Sequence, residues 1–187
     1  MLRGIKAATL DVDIVLENEK DREYLIETMK KLGYRDLDYR LAYIEKKDGT
    51  PKMLQGEKVR FDFFLHKVIT SDFSEKMKKR ADETHEFENL ILKAAHPTDI
   101  AIMKSATDRE KDDHDIILIC DKKMLDWNIM LYEIEEQFRL GNERAIFDLG
   151  YKLEKLTNIK AIIVPKEILD RIVEFHNNNV EEREKKR

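Results

Sequence analysis

Residues 8–16 read ATLDVDIVL. Leu10, Val12, Ile14 and Leu16 fall on one side of an extended chain, and Asp11, Asp13 and Val15 on the other. The segment is therefore a strand with an apolar face, yet it carries two carboxylates one residue apart. On a strand their Cα atoms lie roughly 6–7 Å apart. Both side chains leave the same face, so their oxygens can converge on one cation. A plain structural alternative is a polar strand face turned to water.

A third acid bears on that choice. Residues 58–68 read KVRFDFFLHKV, an aromatic and β-branched run that predicts another strand. Asp62 stands in its middle, on one face with Arg60 and Phe64. A carboxylate in such a setting is either paired, with an Arg for example, or functional. If the two strands are neighbours, Asp11, Asp13 and Asp62 meet. Carboxylate oxygens suit Mg²⁺ or Mn²⁺, and a gathered set suits two-metal phosphoryl chemistry.

The rest of the chain sets the frame. Glu19 to Leu32 has helical spacing at Leu25, Met29 and Leu32, and Gly33 follows as a C-cap. Tyr39 to Glu45 predicts a strand ended by the turn Lys47-Asp48-Gly49. Ser71 to Glu83 reads as helical or irregular, and Leu90 to Ala94 as a short strand. From Pro97 the pattern is helical, with Thr98 or Asp99 as the cap and breaks near Thr107, Lys122, Gly141 and Asn158. Ile159 to Val164 reads as a late strand or a buried connection, and Lys166 to Arg187 as a final helix. The fold class expected is α/β (α+β): a small mixed sheet flanked by helices in residues 1–120, with a helical extension over residues 121–187.

Composition narrows the function. Over 187 residues the formal net charge is −4, so the whole surface is not built for nucleic acid. The run EKMKKR, with Lys76, Lys78, Lys79 and Arg80, could form a local RNA-binding patch or simply a solvated helix face. The single cysteine, Cys120, excludes an internal disulfide, and the histidines have no metal-ligand spacing. No signal peptide and no bilayer-length apolar run is present, so a cytoplasmic protein is expected.

ATLDVDIVL followed later by VRFDFFL resembles the nucleotidyltransferase superfamily of the polymerase-β type, in its small prokaryotic branch. HPTDIAIMKSATDREKDDHDIILI, from His96 to Ile119, is similar to a helix pair in nucleotidyltransferase-like proteins related to the toxin components of toxin–antitoxin systems. The likeness covers Met1 to about Gln137 and is loose over DWNIMLYEIEEQ. It implies a Mg²⁺- or Mn²⁺-dependent transferase moving a nucleoside monophosphate from a nucleoside triphosphate to a hydroxyl on RNA or protein. Asp11, Asp13 and Asp62 match the catalytic and metal-binding acids. Lys104 matches the lysine near the phosphates, with Arg109, Lys111 and Asp112 in the charged block beside it; Lys6 and Thr9 are further nucleotide contacts, and Arg3 can also face phosphate. For Asp112 and Asp115 an inter-helix salt-bridge network is the competing reading.

Relatives carry a Gly-Gly or Gly-Ser turn just before the DxD strand, where backbone N–H groups receive the triphosphate. Met1 stands where that turn would have ended, and Gly4 has no second Gly or Ser beside it. The expectations are impaired nucleotide binding and self-association through residues 1–16, giving a homodimer. A catalytically inactive interaction or regulatory protein of a toxin–antitoxin type system is the alternative function. Like-charge repulsion further predicts that Asp11→Asn or Asp13→Asn stabilises the metal-free fold.

Overall fold

A computed structural model describes residues 10–38 and 49–185, with side chains through residue 177. The chain divides into two compact units, Met1–Phe73 and Ser74–Arg187. The boundary expected near residue 120 falls at the end of a helix in the second unit. Strands and helices together make a mixed α+β chain.

The first unit is a mixed sheet. Strand β1 (Asp11–Leu16) leads into helix α1 (Glu19–Lys31), then β2 (Arg35–Leu37), β3 (Lys52–Gln55), β4 (Arg60–Leu65), β5 (Lys67–Val68) and β6 (Ser71–Asp72). Strand β4 is the hub: β1 lies parallel to it, and β3 and β5 pair with it antiparallel. A parallel pair cannot be closed by a tight turn, and here the crossover is made by α1, β2 and β3. The expected single strand from Lys58 to Val68 is broken at His66, whose φ of 56° turns the chain back into β5. Sequence reading missed β2, β3 and β6, which are two to four residues long. The expected strand Tyr39–Glu45 lies outside the described residues, as do Arg3, Lys6 and Thr9.

Helix α1 forms where the sequence places it. The Asn18 side chain accepts a 2.8 Å hydrogen bond from the Asp21 N–H. At the other end Gly33 N–H donates to the Lys30 carbonyl and Tyr34 N–H to the Met29 carbonyl, closing a Schellman motif with Gly33 at φ 94°. The buried trio Ile26, Leu54 and Phe63 joins α1 to the sheet, with Ile14, Leu16, Leu25, Met29, Tyr34 and Phe61 packed around it. Phe63 is fully buried, worth about 1.5–3 kcal/mol of transfer free energy. Among the described residues α1 is the helix of this unit; the sheet is not flanked by several helices within it.

In the second unit, α2 (Glu75–Arg80) and the hairpin β7 (Glu83–Phe87) and β8 (Leu90–Ala94) precede α3 (Pro97–Lys104), α4 (Glu110–Asp121), α5 (Trp127–Arg139), α6 (Glu143–Asn158) and α7 (Lys166–Lys185). The cap of α3 is neither Thr98 nor Asp99: His96 Nδ1 accepts from the Thr98 N–H at 3.2 Å, with Pro97 at the first helical position. Thr98 instead accepts from the Asp126 N–H at 2.8 Å and so ties the start of α3 to that of α5. Residues 159–164 form no strand; Ile162 is buried while Ile163 is 92% exposed, so the segment is a connection with one anchor. No helix among the described residues is long and apolar enough to cross a membrane.

Gly33→Ala should lower stability by about 1 kcal/mol, because an L side chain resists positive φ. No atom lies within 4 Å of the position a Cβ would take, so the loss reports backbone strain alone. Urea unfolding of Gly33→Ala beside Gly33→Asn checks this, with Asn expected to cost less.

Candidate functional site

The parallel register sets Asp13 beside Asp62 and Asp11 beside Arg60. Adjacent strands stand about 4.8 Å apart, and aligned residues of a parallel pair share a face. Asp11, Asp13, Arg60 and Asp62 therefore occupy one face of β1 and β4. The opposite face, with Ile14, Leu16, Phe61 and Phe63, is the one packed with α1. The same alternation that sends the apolar residues under the helix thus delivers the acids together on the other side.

Their surroundings differ. Strand β4 has neighbours on both sides, with Met53 of β3 opposite Asp62 and itself buried. The Asp62 side chain is 0% exposed, whereas Asp13 on β1 is exposed. A buried carboxylate must be answered by a charge or hydrogen bonds. Arg60 answers it: Nε donates to Asp62 Oδ1 at 2.8 Å and Nη2 to Oδ2 at 3.1 Å. The same Nη2 lies 3.1 Å from Asp11 Oδ2. One guanidinium thus joins two of the three candidate acids in a planar fork, the geometry Arg favours with carboxylates. Sequence reading placed Arg60 on this face and allowed for such a pair; it did not show that the fork reaches Asp11 as well.

Oxygen donors of this kind suit a hard divalent cation, but their present arrangement does not. No group of three or more His, Cys, Asp or Glu side chains among the described residues is disposed to hold a metal ion. The oxygens that would turn towards one are turned towards Arg60. Arg60 also changes the sign expected for Asp11. Removing Asp11 would relieve repulsion by its neighbours but lose an ion pair, so stabilisation by Asp11→Asn no longer follows from charge alone.

The charged block of the second unit forms its own network between α3 and α4. Lys104 Nζ lies 2.9 Å from Asp112 Oδ1 and 2.8 Å from Asp115 Oδ2. Arg109 Nε lies 2.7 Å from Asp112 Oδ2, and the Thr107 hydroxyl donates to the same oxygen. Burial works against the Lys104 charge, yet Asp112 and Asp115 outweigh it and its pKa is raised. Burial likewise works against the Asp112 carboxylate, which the Lys104 charge, the Thr107 hydroxyl and Arg109 hold below its ordinary value. Lys104 and Arg109, both expected at phosphate, thus have carboxylate partners within the helix pair.

Further buried charges escaped sequence reading. Arg80 makes a fork with Asp99, at 3.0 and 2.7 Å, and reaches Glu133 at 2.5 Å. Both carboxylates are fully buried, and Glu133 also accepts from Gln137 at 2.9 Å. Lys152, 1% exposed on α6, is paired with Asp113 of α4. The signal was present: Lys152 stands beside Leu149, Leu153 and Leu156 on a buried helix face, where a solvated lysine has no place. Of the EKMKKR run, Lys76 pairs with Glu136 at 3.2 Å and Lys78 with Glu75 at 2.6 Å, so several of its charges are already engaged within this unit.

Neither a family model nor a curated protein matches the chain.

Breaking the fork should be costly. Asp62→Asn should lower stability by about 3 kcal/mol, the lower end for a broken buried pair, since Arg60 keeps 16% of its side chain exposed. Asp13→Asn, at the exposed position of β1, should change stability by less than about 1 kcal/mol. Chemical denaturation of both variants at neutral pH checks the contrast.

The second network should appear in the acid limb of stability. Because the folded pKa of Asp112 is depressed, its contribution is present above the unfolded value near 3.8 and is lost as pH falls through the lower folded value. Asp112→Asn should therefore destabilise at neutral pH and make the acid limb shallower. Thermal unfolding between pH 2 and pH 7 for wild type and variant measures both effects.

Proposed function

We propose that this chain is a nucleotidyltransferase-like protein that transfers a nucleoside monophosphate from a nucleoside triphosphate to a hydroxyl group, with Mg²⁺ or Mn²⁺ as cofactor. One observation carries the reading: Asp13 and Asp62 are register partners on parallel strands, on the sheet face turned away from the α1 core. The sequence resemblance selects the chemistry, and the acceptor class it brings is RNA or protein. In the transfer the acceptor oxygen bonds to the α-phosphorus, the bond to pyrophosphate breaks, and the hydroxyl proton must leave. Asp11, Asp13 and Asp62 are the side chains assigned to that face of the reaction. Asp62, held from both oxygens by Arg60, keeps a fixed orientation, and Asp13 presents the solvent-facing carboxylate.

A second reading has its own support. Arg60 joins Asp11 to Asp62, while Lys104 and Arg109 are engaged by Asp112. An arrangement whose charges answer one another is what an inactive nucleotidyltransferase-fold regulator, of the toxin–antitoxin kind, would retain for stability.

Incubation with each α-labelled nucleoside triphosphate, Mg²⁺ or Mn²⁺, total RNA and the protein itself separates the two. Transfer of label is expected from wild type, with a loss of at least about a hundredfold in Asp13→Asn, as for removal of a group acting in the transition state. Absence of label from every nucleotide and acceptor, with the protein folded, would favour the regulator.

A further inference from the structure

We propose that the outer edge of β8 is a dimer seam, on which a second copy of this chain lays its own β8 antiparallel, joining two hairpins into one four-stranded sheet. The inference is independent of the transferase reading and of residues 1–16. Strands β7 and β8 pair with each other and, among the described residues, with no further strand. An antiparallel edge turns alternate N–H and C=O groups outward, where another strand can take them. A two-stranded hairpin is also marginal alone and gains from added strands.

The side chains select the edge and the partner. Glu83, His85, Phe87, Leu90, Leu92 and Ala94 share one face of the hairpin. The base of that face is covered, with Ala94 buried and Leu92 half-buried, whereas Phe87 and Leu90 beside the turn are 57% and 42% exposed. On the other face Ile91 is 63% exposed. The two edges differ in charge. Strand β7 carries Glu83 and Glu86, so two copies joined there would crowd four carboxylates onto one seam, which guards that edge. Strand β8 reads LILKA, and its one charge is Lys93.

A two-fold axis at Leu92 sets Leu92 opposite its own copy, Leu90 opposite Ala94 and Ile91 opposite Lys93 across the seam. Phe87 and Leu90 of one copy then extend over the covered base of the other hairpin, and the aliphatic stem of Lys93 lies along Ile91. No like charges face each other. Such a pair closes on itself, whereas β7-to-β8 pairing between copies leaves free edges and grows without end. With five residues per strand the seam is small, so the dimer is weak, with a dissociation constant of about 1 μM to 1 mM.

Sedimentation equilibrium and size-exclusion light scattering on the full chain, from about 1 μM to about 1 mM, test this. Wild type should pass from monomer to dimer over that range. Ile91→Lys sets a lysine opposite Lys93 at both ends of the seam and should weaken dimerisation at least about tenfold. Phe147→Lys, at a comparably exposed aromatic of α6, should stay within about twofold of wild type. Both positions are exposed, so circular dichroism should show both variants folded. A monomer at every concentration, growth beyond the dimer, a dimer left intact by Ile91→Lys, or an equal loss in Phe147→Lys overturns the inference.

Cysteine cross-linking reads the register without an added charge. In a Cys120→Ser background, which removes the native thiol, Leu92→Cys places two cysteines directly opposite each other, with Cα atoms about 5 Å apart and within disulfide reach. Ile91→Cys leaves them diagonal, about 7–8 Å apart and out of reach. Mild oxidation at the top of the concentration range should cross-link Leu92→Cys at least about tenfold faster than Ile91→Cys. Equal rates, or no cross-link from either, overturn the seam.

Discussion

A carboxylate on the central strand of a sheet has to be answered, and much of the first unit is arranged around that requirement. Asp62 lies between β1 and β3, with no solvent at its side chain. Leaving such a charge uncompensated costs several kcal/mol, comparable with much of the stability of a small domain. Arg60, two residues earlier on the same strand and the same face, offsets it with a planar fork. Spacing by two is what makes this possible, since residues i and i+2 of a strand point the same way. Parallel pairing with β1 then brings Asp11 within reach of the same guanidinium and sets Asp13 at the solvent side.

The second unit solves the same problem repeatedly and between helices rather than along a strand. Lys104 with Asp112 and Asp115 joins α3 to α4; Arg80 joins α2 to Asp99 of α3 and Glu133 of α5; Lys152 joins α6 to Asp113 of α4. Burial of apolar side chains such as Met77, Ile102, Ile116, Met130, Ile134 and Leu156 provides the bulk of the driving force. Ion pairs at such sites give little net stability over well-packed apolar side chains, but removing one partner leaves the other charge buried and unanswered, which is costly. Glu133 shows the balance: burial raises its pKa although Arg80, Gln137 and Ser74 hydrogen-bond to it. In the charged block the outcome is reversed for Asp112, where the Lys104 charge, the Thr107 hydroxyl and Arg109 outweigh burial.

Several features were legible in the sequence because they depend on neighbours in the chain. Alternation in ATLDVDIVL gave β1 and its acid face, helical spacing with Gly33 gave α1 and its end, and LILKA gave β8. Helix breaks near Thr107, Lys122, Gly141 and Asn158 follow from lost periodicity, and each corresponds to an observed end or junction. Short strands such as β2 and β6 carry too few residues for a periodic signal. The His96 cap was hidden because Thr98, the better capping residue by type, is used to bind the start of α5.

What the sequence determined by itself is which side chains share a face: Asp11 with Asp13, and Arg60 with Asp62. It could not determine which strands are neighbours or in what register, because those depend on closing loops far longer than any local pattern. Only the tertiary structure decided that β1 runs parallel to β4 with Asp13 opposite Asp62, and that the Arg60 fork reaches across to Asp11. The charged block divides in the same way. Its residue types and spacing are local facts, but the commitment of Lys104 and Arg109 to Asp112 arises from the packing of α3 on α4, where burial makes an unanswered charge too costly to keep.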